Sequence, residues 1–454
     1  FAMCTFFGRE DNNAISYLIW EYNKTSLGIH SSHTADPFGT IYAPAHETWT
    51  PTNNPMVNEG YGDTVNTVRI KDKLVIGKGQ SLTIKDMTVE MGKDAQIIVE
   101  SDNTGTLPAG RLMLDNATIK AYRDCANEES YWGGIVLQGN NAKSQENIGG
   151  SFYNRYQAML FMSNNSKLAQ ANVAVRGYDP ANPSTRAGGI IYAYNSSFEN
   201  NKVAVDIAAY YNPTTIPFAS GYAAKFDKCI FSYNDNDLKS DFEGFVKMDA
   251  VKDIPFYSCH FTTDFGSIML GYGIKAYDAS LLVRGAAWGA TAPCYFKGLM
   301  EAVSANKTAF GTSNTLYINN TNFAQNYSGV YSRAINNSYM HNNSFQIPSR
   351  PFPAFGGRNS TGVNMETGSG YTLTSNIFGN VPASSSAHNN AVLVWNSGSA
   401  DNFVKDNTVS NLSQGMISNY VNRNNPLSGG GTTGLQFLCN AQSSNVGTCI
   451  AALG

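Results

Sequence analysis

The sequence predicts an all-β solenoid, a parallel β-helix, and three observations carry that prediction. First, a four-residue phrase of the form polar, small, any, apolar keeps returning just after a run of strand-forming residues. It reads Asp86-Met87-Thr88-Val89, Asn116-Ala117-Thr118-Ile119, Asn195-Ser196-Ser197-Phe198, Lys228-Cys229-Ile230-Phe231 and Ser258-Cys259-His260-Phe261. It continues as Asn320-Thr321-Asn322-Phe323, Asn342-Asn343-Ser344-Phe345, Ser375-Asn376-Ile377-Phe378 and Asp406-Asn407-Thr408-Val409. Neighbouring copies that pair directly lie roughly 22 to 33 residues apart, the period of a stacked repeat. Second, the segments between copies are short β-branched and aromatic runs bounded by Gly, Asn or Asp, and none has helical length and period. Third, charged residues are only 14% of the chain, against about 25% in an ordinary globular domain. Asn, Ser, Thr, Gly and Tyr fill the difference, which suits extended strands joined by polar uncharged turns.

Along the chain, residues 1–65 show weak periodicity and are expected to form an N-terminal cap or the end of a preceding domain. Strand signals strengthen at Val68-Arg69-Ile70 and Leu74-Val75-Ile76. After the turn at Gly77–Gly79 come Ser81-Leu82-Thr83-Ile84, Thr88-Val89-Glu90-Met91, Ile97-Ile98-Val99 and Arg111-Leu112-Met113-Leu114. The β-helix is expected over 66–425, with irregular insertions at 141–187, 262–315 and 346–370. Insertions of this kind collect on one face of a solenoid, often the binding face. Ser428-Gly429-Gly430-Gly431 reads as a hinge into a short C-terminal module, 426–454.

The repeated phrase has a physical reason. Every coil must turn a corner at the same place, and a polar side chain there can bond backbone groups. Asn116, Asn195, Asn320 and Asn342 are expected to stack as a ladder of amides. Val89, Ile119, Phe198, Phe231, Phe261, Phe323, Phe345, Phe378 and Val409 are expected to point inward and stack on one another. Cys229 and Cys259 share a phase in consecutive repeats and should be free, buried and in neighbouring coils. Cys439 and Cys449 could close a small disulfide loop.

Candidate chemistry is sparse. A formal charge of −3 and no basic stripe argue against a nucleic-acid partner, and no apolar run reaches the roughly 18 residues of a membrane span. Asp235, Asp237, Asp241 and Glu243 offer closely spaced oxygen ligands that suit Ca²⁺, the one cofactor the sequence suggests, although the twelve-residue loop with its central Gly is missing. Asp124, Glu128 and Glu129 form a second acidic group near Trp132. His30, His33 and His46 lie in the N-terminal segment without acid or Cys partners, and His260 occupies an outward position of a repeat. No Gly-x-Ser-x-Gly elbow or phosphate loop is present. Asn-x-Ser/Thr sequons at Asn23, Asn116, Asn195, Asn306, Asn319, Asn326 and Asn411 follow from composition. Tyr192, Tyr194, Tyr210 and Tyr211 could present an aromatic platform for a glycan or partner protein.

The stretch 74–140 carries a resemblance. It contains Leu82-Thr83-Ile84, Thr88-Val89-Glu90-Met91 and Gly110-Arg111-Leu112-Met113-Leu114-Asp115-Asn116-Ala117-Thr118. After Cys125 it continues as Trp132-Gly133-Gly134-Ile135-Val136-Leu137-Gln138-Gly139-Asn140. This resembles the right-handed parallel β-helix region of large secreted surface proteins of Bacteroidetes, many of them type IX secretion cargo. Gly434-Leu435-Gln436-Phe437-Leu438-Cys439-Asn440 is similar to a segment that follows the helix in the same family. The family's small sorting domain is not seen after Cys449, and the chain begins at Phe1, so a piece of a longer polypeptide or fibre is expected. The resemblance implies an extracellular, cell-surface setting and a non-catalytic, adhesin-like module whose loops meet surfaces, glycans or proteins. The alternative is a polysaccharide lyase or glycoside hydrolase on the same fold, which needs acids with Arg or Lys gathered on adjacent coils.

Overall fold

The structure, a computed structural model, describes residues 40–43, 46–55, 66–105, 107–122, 131–145, 156–213, 221–266, 268–285, 292–308, 314–349, 359–380, 389–423, 433–443 and 446–453. The chain divides into two compact units, residues 1–230 and 231–454.

Both units are built alike. Successive strands go in turn to a first, a second and a third parallel sheet. In the first unit, Lys73–Ile76, Ser81–Lys85 and Thr88–Met91 make one coil, and Gln96–Val99, Arg111–Asp115 and Thr118–Ala121 make the next, paired residue for residue. In the second unit, Ser328–Arg333, Tyr339–His341 and Ser344–Gln346 are followed in the same way by Ser360–Glu366, Thr372–Thr374 and Ile377–Gly379. Parallel neighbours need a long crossover, and the rest of each coil supplies it. The fold is a right-handed parallel β-helix, the hand that twisted strands favour. Among the described residues helical conformation is confined to Pro55 and the single turn Lys239–Asp241.

The corner between the second and third sheets explains the repeated phrase. Its first residue has positive φ in every copy, from Asp86 (54°) and Asn116 (51°) to Ser375 (55°) and Asp406 (55°). Asn and Asp tolerate this left-handed conformation better than other side chains. The second residue turns into the corner. There the structure corrects the expected ladder. Asn116 and Asn195 do reach a neighbouring coil, donating to Asp86 Oδ1 at 2.7 Å and Asn165 Oδ1 at 3.0 Å, but on the exposed side. The continuous amide ladder stands one residue later, at Asn343, Asn376, Asn407 and Asn440, with Nδ2 to Oδ1 distances of 2.9, 3.0 and 2.9 Å. A left-handed first residue aims its side chain out of the corner, so only the second can run inside.

The apolar position behaves as expected and goes further. Phe231, Phe261, Phe296, Phe323, Phe345 and Phe378 form one stack inside the second unit, with centroid spacings of 4.6, 4.5, 5.2, 4.6 and 4.7 Å. The stack needs room across the coil. A Cβ on Gly329 or Gly362, both in the first sheet, would come within 2.8 Å of the rings of Phe345 and Phe378. In the first unit the position is filled by the smaller Val68, Val89, Ile119 and Leu168 before Phe198, all buried.

Several expected boundaries move. Thr40–Tyr42 and His46–Trp49 already pair with Lys73–Ile76 and Ser81–Lys85, so the coils begin before residue 66. Leu435–Leu438 and Thr448–Leu453 continue the sheets and Asn440 extends the ladder, so the C-terminal segment is coil, not a separate module. The hinge glycines lie outside the described residues. Met159–Ser163, Lys167–Ala169 and Val173–Arg176 are core strands inside the expected 141–187 insertion. Among the described residues a short excursion leaves the coil between Tyr178 and Ala187, containing Asp179-Pro180, and residues 146–155 lie outside the described residues. Residues 262–315 likewise hold the strands Leu270–Tyr277, Leu281–Arg284, Cys294–Lys297 and Leu299–Asn306, and 346–370 holds Ser360–Glu366. Cys294 and Phe296 sit in the repeat's phase, as Cys259 and Phe261 do, but Pro293 in place of the polar first residue obscured that copy in the sequence.

Candidate functional site

With side chains alternating across each strand, every second residue of the second sheet faces outward, and register stacks these residues into columns. In the second unit one column runs Leu282, Tyr317, Tyr339, Thr372 and Phe403, all in register. The Tyr317 and Tyr339 rings lie 5.4 Å apart and 26° from parallel. The next outward column supplies polar groups: Arg284, Asn319 and His341. Asn319 Nδ2 donates to the Tyr317 hydroxyl at 3.3 Å, the His341 ring is 5.9 Å from Tyr339, and Arg284 covers the Tyr257 ring at 5.0 Å. This flat aromatic surface beside amide, imidazole and guanidinium groups was not singled out in the sequence. Period-two spacing in Leu316-Tyr317-Ile318-Asn319 and Tyr339-Met340-His341 is the signal that could have found it.

The first unit has a shorter counterpart. Phe161 and Tyr192 stack at 5.5 Å and 19° on the outward face of the second sheet. Tyr194, two residues on, is 48% exposed, with Lys228 Nζ 5.5 Å from its ring. Thus Tyr192 and Tyr194 share a face, as expected. Tyr210 and Tyr211 do not join it. Tyr210 is 2% exposed, packs edge-on to Tyr222 at 5.7 Å and donates to the Lys143 carbonyl, while Tyr211 is 65% exposed. Tyr210 belongs to a buried polar network in which Gln157 binds the carbonyls of Asn140 and Lys143, and Gln145 binds that of Gly188. That network ties loop to coil and leaves no ring face open at Tyr210.

The first sheet carries two tyrosine–carboxylate pairs. In the second unit the Tyr331 hydroxyl donates to Glu366 Oε2 at 2.7 Å, and Arg333 lies 3.4 Å from the same carboxylate. In the first unit Tyr178 donates to Asp206 at 2.7 Å. Burial, and then the hydrogen-bonded carboxylate, push both phenols above the ordinary tyrosine range. A tyrosine acting as a general base needs the opposite shift, toward the working pH. These pairs therefore stay protonated and serve as cross-coil fasteners.

The remaining sequence candidates disperse. Asp235 spends its carboxylate on its own turn, accepting from the backbone of Asp237 at 3.0 Å and Leu238 at 3.3 Å. Among the described residues no three His, Cys, Asp or Glu side chains converge in a metal-binding group, so Asp235, Asp237, Asp241 and Glu243 do not form the expected Ca²⁺ cluster. Cys439 and Cys449 are free and exposed: Cys439 is the left-handed first residue of a corner, Cys449 lies in the strand Thr448–Leu453, and no disulfide joins them. Cys229 and Cys259 are free and buried. In the second unit Cys259 N–H points at Cys294 Sγ, 3.4 Å away. His46 bonds Ser81 at 2.9 Å, and His260 faces outward, edge-on to Tyr295 at 5.9 Å, with burial lowering its pKa. Residues 30, 33, 124, 128 and 129 lie outside the described residues. No helix among the described residues is long and apolar enough to cross a membrane.

No family model and no curated protein matches the sequence. Solved structures match at low sequence identity. The periplasmic alginate epimerase AlgG matches at 8% identity and a TM-score of 0.41, over 95% of this chain and 89% of that one. The Streptococcus pneumoniae surface adhesin PfbA matches at 11% identity and a TM-score of 0.31, over 84% and 81%. The Dettilon tailspike protein matches at 12% identity and a TM-score of 0.23, over 83% and 68%.

Proposed function

We propose that this chain is a non-catalytic β-helix module of an extracellular bacterial surface protein, which holds glycan chains or partner proteins on its outward sheet faces. One observation carries the reading: the near-parallel Tyr317–Tyr339 pair, outward and flanked by Asn319, His341 and Arg284. Sugar rings present apolar C–H faces and polar edges. Flat aromatics meet the first, and amide, imidazole and guanidinium groups meet the second. The face is built on strands, so it is rigid before binding and little conformational entropy is lost on contact. The cell-surface setting is supported by the resemblance of residues 74–140 and 434–440 to secreted Bacteroidetes β-helix proteins, with type IX secretion as the route.

The test is affinity electrophoresis through neutral and acidic polysaccharides, with and without Ca²⁺, alongside an assay for released reducing ends and unsaturated products. Retardation by at least one polysaccharide, lost in the Tyr317→Ala/Tyr339→Ala variant and unaccompanied by product, is the expected outcome. Product formation would replace this reading with the enzyme one. Equal retardation of wild type and variant would remove the aromatic face from it.

A further inference from the structure

The third sheet of the first unit contains an interrupted column. Arg69 pairs with Glu90, and Glu90 with Lys120, in register on the outward side. The next coil places Lys167 opposite Thr118 and Leu168 opposite Ile119, so Ala169 falls beside Lys120. The coil after that places Glu199 beside Ala169. One long side chain is therefore missing from an otherwise charged column, between Lys120 and Glu199. Lys120 leans back from the gap, and Glu199 reaches across to Lys167 on the gap's own strand. Lys120 Nζ is 3.4 Å from Glu90 Oε1, whose other oxygen takes Arg69 at 2.9 Å, and Lys167 Nζ is 2.7 Å from Glu199 Oε2. The result is an open groove of about 470 Å³ floored by Ala169, walled by these two acids and two lysines, with Tyr122 and Gln170 also on its lining. That volume falls within the roughly 300–1,000 Å³ of small-molecule sites.

We propose that this groove binds one or two residues of a neutral saccharide. The lining carries two carboxylates and two ammoniums, and Arg69, which also holds Glu90, is buried behind it, so a ligand of either sign gains from some wall groups and loses to others. Sugar hydroxyls avoid that conflict because each both donates and accepts. An ammonium has three donors and an ionised carboxylate about four acceptor positions, so Lys167 and Glu199, held together, each keep capacity for adjacent hydroxyls. Lys120 and Glu90 present the same combination across the Ala169 floor. Charge-assisted hydrogen bonds of this kind are the stronger ones. The groove lies on a different sheet from the aromatic faces and stands independently of them.

Lysine acylation read by mass spectrometry tests it, using the whole chain with cellohexaose, laminarihexaose and mannohexaose as neutral probes and hexagalacturonate as the acidic one. A neutral hexasaccharide at saturation should slow acylation of Lys120 and Lys167 at least fivefold, leave Lys225 and Lys228 unchanged, and lose that effect in Ala169→Arg, which restores the missing side chain. The Tyr317→Ala/Tyr339→Ala variant should keep the protection, which separates this site from the aromatic face. Circular dichroism of Ala169→Arg should match wild type. If it does not, Ala169→Gln, a shorter filler, takes its place. No protection by any neutral probe, protection by the acidic probe alone, or protection that persists in the filled groove would each overturn the proposal.

Discussion

The corner between the second and third sheets turns on two adjacent residues with opposite demands. The first must accept a left-handed backbone, and the second must satisfy a buried amide. Asn376 shows the second demand: its Oδ1 accepts from Asn343 N and Nδ2 at 3.0 and 2.9 Å, and its Nδ2 donates to Met340 O and Asn407 Oδ1 at 3.2 and 3.0 Å. Removing it orphans buried donors and acceptors on both neighbours, which costs about 1–3 kcal/mol. Asn342, the residue before Asn343, needs only its positive φ of 54°, which glycine adopts freely. Asn376→Ala should therefore lower the urea midpoint clearly, whereas Asn342→Gly should stay close to wild type. A reversed order would put the ladder back at the first position. The same corner shows why the sequence misled: a polar first residue is conspicuous, while the second varies as Met87, Ala117, Ser196, Cys229, Thr321 and Asn343 along the repeat, and only burial reveals that each lies inside its corner.

Among the elements, the loop that leaves the strand Gln96–Val99 depends on one carboxylate. Asp102 is fully buried and accepts from Thr104 N at 3.0 Å, Thr104 Oγ1 at 2.7 Å and Leu107 N at 3.1 Å, with Lys78 Nζ 3.9 Å away. Burial alone would raise its pKa, but the hydrogen bonds from Thr104 and Leu107 and the charge of Lys78 outweigh it and hold the group below the ordinary 3.8. A carboxyl with a lowered folded pKa stabilises the fold above its unfolded value and loses that contribution as pH falls through the folded one. Asp102→Asn should lower the urea midpoint at pH 6, and the gap to wild type should narrow as the pH falls below 3.8. A gap that is the same at both pH values would contradict this account. The expected insertions belong to this scale too. Runs such as Met159-Leu160-Phe161-Met162 were present in the sequence, but Asn-rich and Pro-rich flanks masked their phase. Register with Arg111–Asp115 decides that they are coil.

At the scale of the whole molecule, each coil is held chiefly by its neighbours, so stability accumulates coil by coil. In the second unit, excising residues 376–406 joins Ser375 to Asn407 and keeps the phase of every column. Phe345 then stacks on Val409, and Asn343 meets Asn407. That variant should retain a β-rich circular dichroism spectrum and a cooperative melt. Excising 377–406 instead leaves one extra residue at the corner, and a one-residue slip reverses which side chains face inward. It should melt lower or aggregate, and equal stability of the two excisions would contradict the phase argument.

The sequence by itself determined the solenoid, the corner and the inward stack, because these repeat, and repetition turns a weak local preference into a pattern spread over hundreds of residues. It also exposed the absence of familiar catalytic and phosphate-binding motifs. Only the tertiary structure decided what stands beside what on the outside. Tyr317 and Tyr339 are 22 residues apart in sequence yet paired across one strand spacing, and Tyr210 lies sixteen residues after Tyr194 yet turns into the interior. Outward columns are set by register between coils, and register depends on how many residues each intervening turn absorbs. That number varies from coil to coil, and no local sequence preference fixes it.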